Sequence, residues 1–317
     1  MPTESLAAPH LDTQLLRRSD LLLDFLAVVN EGGIRAAAGR VHLSQSALTR
    51  RIQELERALG VQLFERHSLG MRLTRFGEVL RHHAQLVDLA CHHAVSELHD
   101  LRDGGAGELR LAAGPAWDSG LVPDAIVSVQ QAFPRIRFLV SSRHNEGTLP
   151  LLTDARIDLV LGAIPDKSRR DPQITYEHLL YIEYHIFANA DNPLQAHKGL
   201  RPRDLMVAPW VWFAEAVTSR ADLHDWFRRA RLAPPESAVE ATSLQAAVRL
   251  MQKGNYLMLL PSTLTPVVAE RGLRALDIRQ SIGSYSAGMM YRQSTLRLRA
   301  FAELRKHVMA LARAFED

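Results

Sequence analysis

Hydrophobic residues in the first part of the chain recur every three or four positions, which is the period of an α-helix. Gly32 and Gly33 interrupt the pattern, and Gly60 ends it again, as a left-handed residue after a helix often does. Ser44 stands where an N-cap is expected. The pattern therefore predicts helices over residues 20–30, 34–41 and 45–59.

The third predicted helix has two chemically different faces. One face is apolar, because leucine and isoleucine recur from Leu48 to Leu59 at spacings of four, three and four. The opposite face carries side chains that hydrogen-bond base edges and phosphates. These are Ser46, Thr49, Arg50, Gln53 and Arg57. A helix, a short helix and a tight turn before such a helix predict a helix-turn-helix, and two short strands over residues 61–64 and 71–74 predict a wing after it.

A long helix is predicted over residues 76–103. Its apolar residues repeat at alternating spacings of four and three from Leu80 to Leu101, which is a heptad seam. A seam implies a partner helix, most simply the same helix in a second copy, while packing against its own domain is the alternative. A glycine-rich linker then follows, with Gly104, Gly105 and Gly107.

Strand and helix signals alternate through the rest of the chain and predict a mostly parallel sheet covered by helices. Extended segments near residues 174–181 and 184–190 separate a first α/β set from a second one, and residues 298–315 predict a final amphipathic helix. Two such sets joined by crossing strands predict two lobes with a cleft between them, which is a favoured ligand site.

Charge is concentrated at the N-terminal end. Between Arg17 and Arg75 there are ten arginines and six acidic residues, a balance of +4, whereas the whole chain of 317 residues carries +3. A basic module beside a nearly neutral remainder suits binding to a phosphate backbone, and a merely solvated basic surface is the alternative. The single cysteine, Cys91, and the lack of a secretory signal or long apolar run predict a cytoplasmic protein that does not enter a membrane.

Motifs for catalysis and metal binding are not recognisable. The chain has no phosphate-binding glycine loop, and Gly283 to Gly288 fails the spacing of a nucleophile elbow. Five histidines crowd the long helix, and because they fall outside the heptad seam we interpret them as a solvated face rather than a metal site. They are His82, His83, His92, His93 and His99. We therefore expect no enzyme activity, no metal and no cofactor.

Several of these residues form motifs with fixed spacing over about sixty positions, and there the chain closely resembles the LysR-type transcription regulators. The motifs are Ala37-Ala38, Ser44-Gln45, Ile52-x-x-Leu55-Glu56, Leu59-Gly60, Leu63-Phe64-Glu65-Arg66 and Leu73-Thr74-x-x-Gly77, with a looser match at Gly254-x-x-x-x-Leu259-x-Pro261. The chain departs from the family pattern at Gly33 and Ile34, which replace Ser-Phe, at Leu69, which replaces an arginine of the wing, and at Phe76, which replaces an alanine.

The resemblance implies a fold and a set of domains. The expected fold is an α-helical winged helix-turn-helix, a long linker helix, and a two-lobed α/β effector-binding domain similar to type 2 periplasmic binding proteins. The expected limits are 17–76 for DNA binding, 77–105 for the linker and dimerisation helix, and 108–317 for the effector domain, with lobe 1 over 108–180 and 284–317 and lobe 2 over 181–283.

The resemblance also implies partners and contact residues. Double-stranded DNA is expected to contact Gln45, Ser46, Thr49, Arg50 and Gln53 in the major groove, and Arg66, Arg72 and Thr74 at the wing. A small effector is expected to be anionic because of Arg143, and Trp117 with Phe213 could flank an aromatic ring. The expected effector residues are Ala116, Trp117, Arg143, His144, Asn145, Gly162, Ala163, Phe213 and Ser243. Further expected partners are a second copy of the chain, in a dimer or a tetramer of two dimers, and RNA polymerase.

Two other interpretations stay open at this point. One is a DNA-binding regulator that needs no effector. The other is an α/β protein that binds or converts a small molecule and carries an appended helical domain. Salt-dependent duplex binding would indicate the regulator, whereas turnover would indicate the enzyme.

Overall fold

The structure, a computed structural model, describes residues 18–67, 70–103, 107–143, 145–214 and 216–314. The chain divides into two compact units, Met1–Ala94 and Val95–Asp317. The elements of the first unit are α1 (Ser19–Glu31), α2 (Ile34–Arg40), α3 (Gln45–Leu59), β1 (Phe64–His67), β2 (Gly70–Leu73) and α4 (Arg75–Asp103), the last of which continues into the second unit.

The core of the N-terminal unit lies between its first three helices. Phe25 of α1, Ala37 of α2 and Leu48 of α3 are fully buried there. The glycines that the sequence predicted as helix ends have left-handed backbones, with φ of 71° at Gly32 and 68° at Gly60. A tri-helical core with a two-stranded wing is therefore the architecture of this unit.

The wing begins three residues later than the sequence predicted. The side chain of Glu56, buried at the end of α3, accepts hydrogen bonds from the backbone N–H groups of Leu63 (2.7 Å) and Phe64 (3.3 Å). Residues 61–63 are therefore tied to the helix, and antiparallel pairing with β2 starts at Phe64.

The long helix α4 has the predicted length but exposes part of its seam. Val87, Cys91 and Leu98 are exposed, the last at 63%. A different stripe, four residues apart, is buried, and it includes Leu89 and His93. His93 is only 8% exposed, so the prediction that all five histidines lie on a solvated face is wrong for this residue.

The second unit contains two lobes. Its elements are β3 (Glu108–Ala113), α5 (Pro115–Asp118), α6 (Leu121–Ala132), β4 (Arg137–Ser142), α7 (Asn145–Thr153), β5 (Leu159–Ala163), β6 (Ile174–Asn189), β7 (Trp210–Phe213), α8 (Val217–Arg229), β8 (Ser237–Ala241), α9 (Leu244–Lys253), β9 (Met258–Pro261), α10 (Thr265–Ala269), β10 (Leu273–Ala275), β11 (Ser284–Arg292) and α11 (Arg299–Arg313).

Lobe 1 is a sheet with strand order β4-β3-β5-β11-β6, covered by α6 and α11. The strands β4, β3 and β5 are parallel, as predicted, but β11 runs antiparallel between β5 and β6, so the sheet is mixed. The core of the lobe includes Trp117, Leu111 and Phe301. In lobe 2, β7 pairs in parallel with β8, and α8 and α9 pack on apolar clusters around Trp210 and Met251.

A single long strand joins the two lobes, where the sequence predicted two extended segments. β6 runs without a break from Ile174 to Asn189 and contains no glycine or proline. Its first part pairs with β11, and its second part pairs with β9 and β10. The chain therefore passes from lobe 1 to lobe 2 within one continuous strand.

Candidate functional sites

One face of α3 packs into the core of the N-terminal unit, and this packing determines which side chains of the helix face solvent. Leu48, Ile52 and Leu55 are buried, as the spacing predicted. The helix starts at Ser44, whose hydroxyl accepts a hydrogen bond from the N–H of Ala47 (3.1 Å), the N-cap geometry that satisfies an otherwise free donor. The opposite face of the helix is thereby fixed toward solvent.

That opposite face presents most of the predicted DNA contacts. Gln45, Ser46, Arg50 and Gln53 are exposed on it, and Thr49 is half-buried. The hydroxyl of Thr49 donates to the carbonyl of Gln45 (2.7 Å), which leaves its oxygen as an acceptor toward a partner. The structure thus brings these five residues together on one surface.

Two adjacent arginines of α3 differ in their surroundings. Arg51 donates to Asp24 and, at 2.7 Å, to Asp20 of α1, and these bonds raise the pKa of its guanidinium. Arg50 projects from the exposed face. Arg51 therefore joins two helices, whereas Arg50 is available to an outside partner.

The wing residues fall into three cases. Arg72 is exposed on β2, opposite Glu65. The hydroxyl of Thr74 donates to the carbonyl of Gln62 (2.7 Å) and accepts from the N–H of Gly77 (3.1 Å), so its only proton is used within the unit. The side chain of Arg66 lies outside the described residues.

The start of α4 depends on a glycine. A Cβ atom at Gly77 would collide with the carbonyl oxygen of Leu63 and with the side chain of Leu73. The backbone of the helix therefore approaches the wing more closely than any other residue type allows. Together with Thr74, this contact fixes the wing against the helix.

A cavity of about 740 Å³ lies between the lobes of the C-terminal unit. This volume is within the usual range of small-molecule sites. The residues that line it come from both lobes. They are Pro115, Asp118, Ser119, Ser142, Arg143, Phe213, Thr242, Ser243, Leu244, Gln245, Val248, Val267, Val268 and Arg271.

Three of the predicted effector residues line this cavity. Arg143 is exposed at the end of β4, Phe213 ends β7, and Ser243 caps α9 by accepting from the N–H of Ala246 (3.4 Å). All three lie at or just after the end of a strand, because the ends of strands in both lobes meet at the cavity.

The other predicted residues do not line the cavity within the described part of the chain. Ala116 and Trp117 are buried, and Trp117, at 1% exposed, packs in the core of lobe 1, so it does not flank a ligand with Phe213. Gly162 and Ala163 pair with β11 inside the sheet. His144 lies outside the described residues, and of Asn145 only the backbone, at the start of α7, is described.

Sequence reasoning missed several residues of the cavity wall. Ser142 precedes Arg143 directly, and Thr242 precedes Ser243, so each could have been found from its neighbour. Asp118 directly follows the predicted Trp117 in the same way. Gln245 and Arg271 adjoin no predicted residue, and their position on the wall depends on how the chain folds. Among the described residues, no group of three histidine, cysteine, aspartate or glutamate side chains is placed to hold a metal, and no helix there is long and apolar enough to cross a membrane.

Comparison with known proteins matches the chain to two family models. Residues 10–78 match the family model "Bacterial regulatory helix-turn-helix protein, lysR family", and residues 102–313 match "LysR substrate binding domain". A similar protein from Pseudomonas sp., "SDS degradation transcriptional activation protein", is 30% identical over 259 residues, which is 80% of this chain and 82% of that one. The "HTH-type transcriptional regulator GbpR" of Rhizobium radiobacter is 27% identical over 251 residues, 78% and 82% of the two chains.

Solved structures with the same fold are full-length regulators. CbnR, described as a LysR family transcriptional regulator, superposes with a TM-score of 0.64 at 20% identity, covering 93% of this chain and 99% of its own. Full-length OxyR from Pseudomonas aeruginosa, in a variant form, gives 0.66 at 20% identity, covering 92% and 97%. With both units matched by their family models, the chain belongs to the LysR family of DNA-binding transcription regulators.

Proposed function

We propose that this regulator contacts double-stranded DNA through the exposed face of α3 and the wing. The observation that carries the proposal is the position of Gln45, Ser46, Arg50 and Gln53 on one solvent-facing surface, within the basic segment from Arg17 to Arg75. Arginine and glutamine are frequent bidentate readers of guanine and adenine in the major groove. The full proposed set adds Thr49, Arg66, Arg72 and Thr74.

The hydrogen bonds of the wing support different roles for two residues of this set. Thr74 has its hydroxyl proton engaged with Gln62, so we assign it to positioning the wing rather than to donating to phosphate. Arg72 remains free to approach a phosphate, and a contact of that kind fixes register rather than sequence.

A mobility-shift assay with DNA from upstream of the protein's own gene tests the proposal. We expect Arg50→Ala to cost about 1–3 kcal/mol in discrimination between the operator and unrelated DNA. Arg40→Ala is a matched control, because Arg40 is equally charged and exposed but pairs with Glu31 (3.4 Å) at the end of α2. Equal discrimination by all three proteins would refute the assignment of Arg50.

Salt dependence separates the two kinds of contact. A phosphate contact at Arg72 predicts that Arg72→Ala weakens binding to every duplex and lowers the salt slope by about one. A base contact at Arg50 predicts a loss that depends on sequence. The same result for both variants would contradict this division.

We further propose that a small anionic ligand in the cavity modulates DNA binding, with Arg143, Phe213 and Ser243 on its walls. The ligand would shift an equilibrium between shapes of an assembly. We also propose that the exposed seam of α4 joins two copies of the chain, that two such dimers form a tetramer, and that RNA polymerase is a further partner. The domain limits 17–76, 77–105 and 108–317 belong to the same proposal.

A further inference from the structure

The cavity runs along the first half of one helix, α9. Ser243, Leu244 and Gln245 line it at the first turn of α9, and Val248 lines it one turn later. The N–H groups of Ala246 and Ala247 bond to Ser243, whereas those of Leu244 and Gln245 have no partner among the described residues. Free N–H groups at a helix N-terminus favour an anion at this end of the cavity.

Arg271 lies beside the other end of the same helix. Its carbonyl accepts a hydrogen bond from the side chain of Gln252 (2.7 Å), in the last turn of α9. Gln252 lies seven positions after Gln245, which corresponds to about 10 Å along the helix axis. Arg271 is exposed and lines the cavity, so this backbone contact holds a second arginine of the wall near the last turn of α9.

The two arginines of the cavity are uncompensated. Arg143 comes from lobe 1 and Arg271 from lobe 2, both are exposed, and no ion pair joins either guanidinium to a carboxylate in the part of the chain that the structure describes. Elsewhere an arginine can be fully engaged, as Arg305 is with Glu177 (2.7 Å). Among the described residues of the cavity wall, the acid is Asp118, which accepts from the hydroxyl of Ser119 (3.0 Å).

Between the two ends the wall is apolar. Leu244 of α9 and Val267 of α10 are half-buried on this wall, whereas Val248 and Val268 are buried in the core of lobe 2. A guanidinium binds a carboxylate through two parallel hydrogen bonds, and an aliphatic surface favours hydrocarbon. A ligand with a single carboxylate would satisfy one end and leave the cation of the other end without a partner.

From this arrangement we propose that the ligand is a dianion with an apolar spacer, of the dicarboxylate type. Arg271 binds one anionic group, and Arg143 with the first N–H groups of α9 binds the other. This inference rests on the proposed function only in taking the cavity as the ligand site. It adds Arg271 as the residue that distinguishes a dianion from a monoanion.

Calorimetric titration of the full chain with matched acids is the direct test. The pairs are butyrate and succinate, hexanoate and adipate, and benzoate and terephthalate, which differ within each pair by one carboxylate. We expect at least one dicarboxylate to bind about tenfold or more tightly than its partner, since a charge-assisted hydrogen-bond pair contributes about that much.

Three variants assign the effect to residues. Arg271→Gln is expected to reduce dicarboxylate affinity to that of the matched monocarboxylate while leaving the latter unchanged. Arg274→Gln is the matched control, because Arg274 is exposed on β10 and is not part of the cavity wall. Asp118→Asn removes a negative charge from the wall and is expected to tighten dicarboxylate binding several-fold. Circular dichroism and thermal unfolding of each variant establish that it is folded.

The outcomes are distinct. Equal binding of both members of every pair, no binding of any acid, or an unchanged preference in a folded Arg271→Gln protein would overturn the inference. The preferred dicarboxylate is then added to the mobility-shift assay. If it binds with the expected preference but leaves operator binding unchanged, the ligand inference stands and the proposed modulation of DNA binding fails.

Discussion

The N-terminal unit presents most of its proposed contacts from one helix, whereas the C-terminal unit assembles its cavity from segments far apart in the chain. On α3, Gln45, Ser46, Thr49, Arg50 and Gln53 share a face because the helical period places them there. The cavity combines residues that range from Pro115 to Arg271 and come from two lobes. The first surface follows from local periodicity, and the second depends on the tertiary fold.

This difference predicts how each site responds to damage. Disturbing the packing of one helix should remove DNA binding as a whole. The cavity should instead respond separately to changes in each segment that lines it. The predictions below are ordered from the largest expected effect on stability to the smallest.

Leu48→Ala is expected to have the largest effect. Leu48 is fully buried in the core of the N-terminal unit, and truncating such a leucine costs about 2–5 kcal/mol. We expect operator binding to be lost while dicarboxylate binding to the C-terminal unit continues. Denaturant titration, mobility shift and calorimetry measure the three quantities. Val127→Ala, at a site 58% exposed on α6, should leave all three nearly unchanged.

Gly77→Ala is expected to lower the free energy of unfolding by about 1–3 kcal/mol, because the new methyl group would collide with the carbonyl of Leu63. Gly39→Ala is its control, since Gly39 lies in α2 with open space around it, and alanine there should be neutral or stabilising by up to about 1 kcal/mol. Denaturant titration of both proteins checks this prediction. Equal free energies of unfolding for the two variants would show that the close approach of α4 to the wing does not affect stability.

The two serine N-caps allow the stability contribution of the same kind of hydrogen bond to be compared between the two units. Ser44 accepts from Ala47 at 3.1 Å, and Ser243 accepts from Ala246 at 3.4 Å. We expect Ser44→Ala to cost about 1 kcal/mol and Ser243→Ala to cost less, since the longer bond is weaker. Thermal unfolding of the two variants measures the costs, and the reverse order would contradict the geometry.

The smallest effect concerns acid stability. Arg18 donates to Glu54 at 2.6 Å, and this hydrogen bond lowers the pKa of the Glu54 carboxyl below its ordinary value of 4.5. A carboxyl with a lowered pKa in the folded state contributes stability above its ordinary pKa, and the contribution is lost as the pH falls through the folded value. We expect Glu54→Gln to flatten the fall in melting temperature below about pH 4.5. An unchanged slope would show that this exposed pair has no effect.

The sequence was informative where structure is local. The faces of α3, the glycine ends of helices and the length of α4 follow from periodicity. The start of β1 does not follow from periodicity, because the Glu56 side chain accepts hydrogen bonds from the backbone N–H groups of Leu63 and Phe64. In the cavity, Arg143, Phe213 and Ser243 were predicted from the family resemblance, whereas Arg271 was not predicted. Its position depends on α10 and on Gln252 of α9, and no pattern in the sequence records that contact.

The place of β11 has a consequence for synthesis of the chain on the ribosome. β11 lies between β5 and β6 in the sheet of lobe 1, yet the residues of lobe 2 precede it in the sequence. Until residues 284–292 emerge, β5 and β6 lack their common neighbour, and Met289 is missing from the core. Lobe 1 therefore begins before lobe 2 and is completed after it, so that a nascent chain exposes an incomplete sheet edge while the residues of lobe 2 are translated.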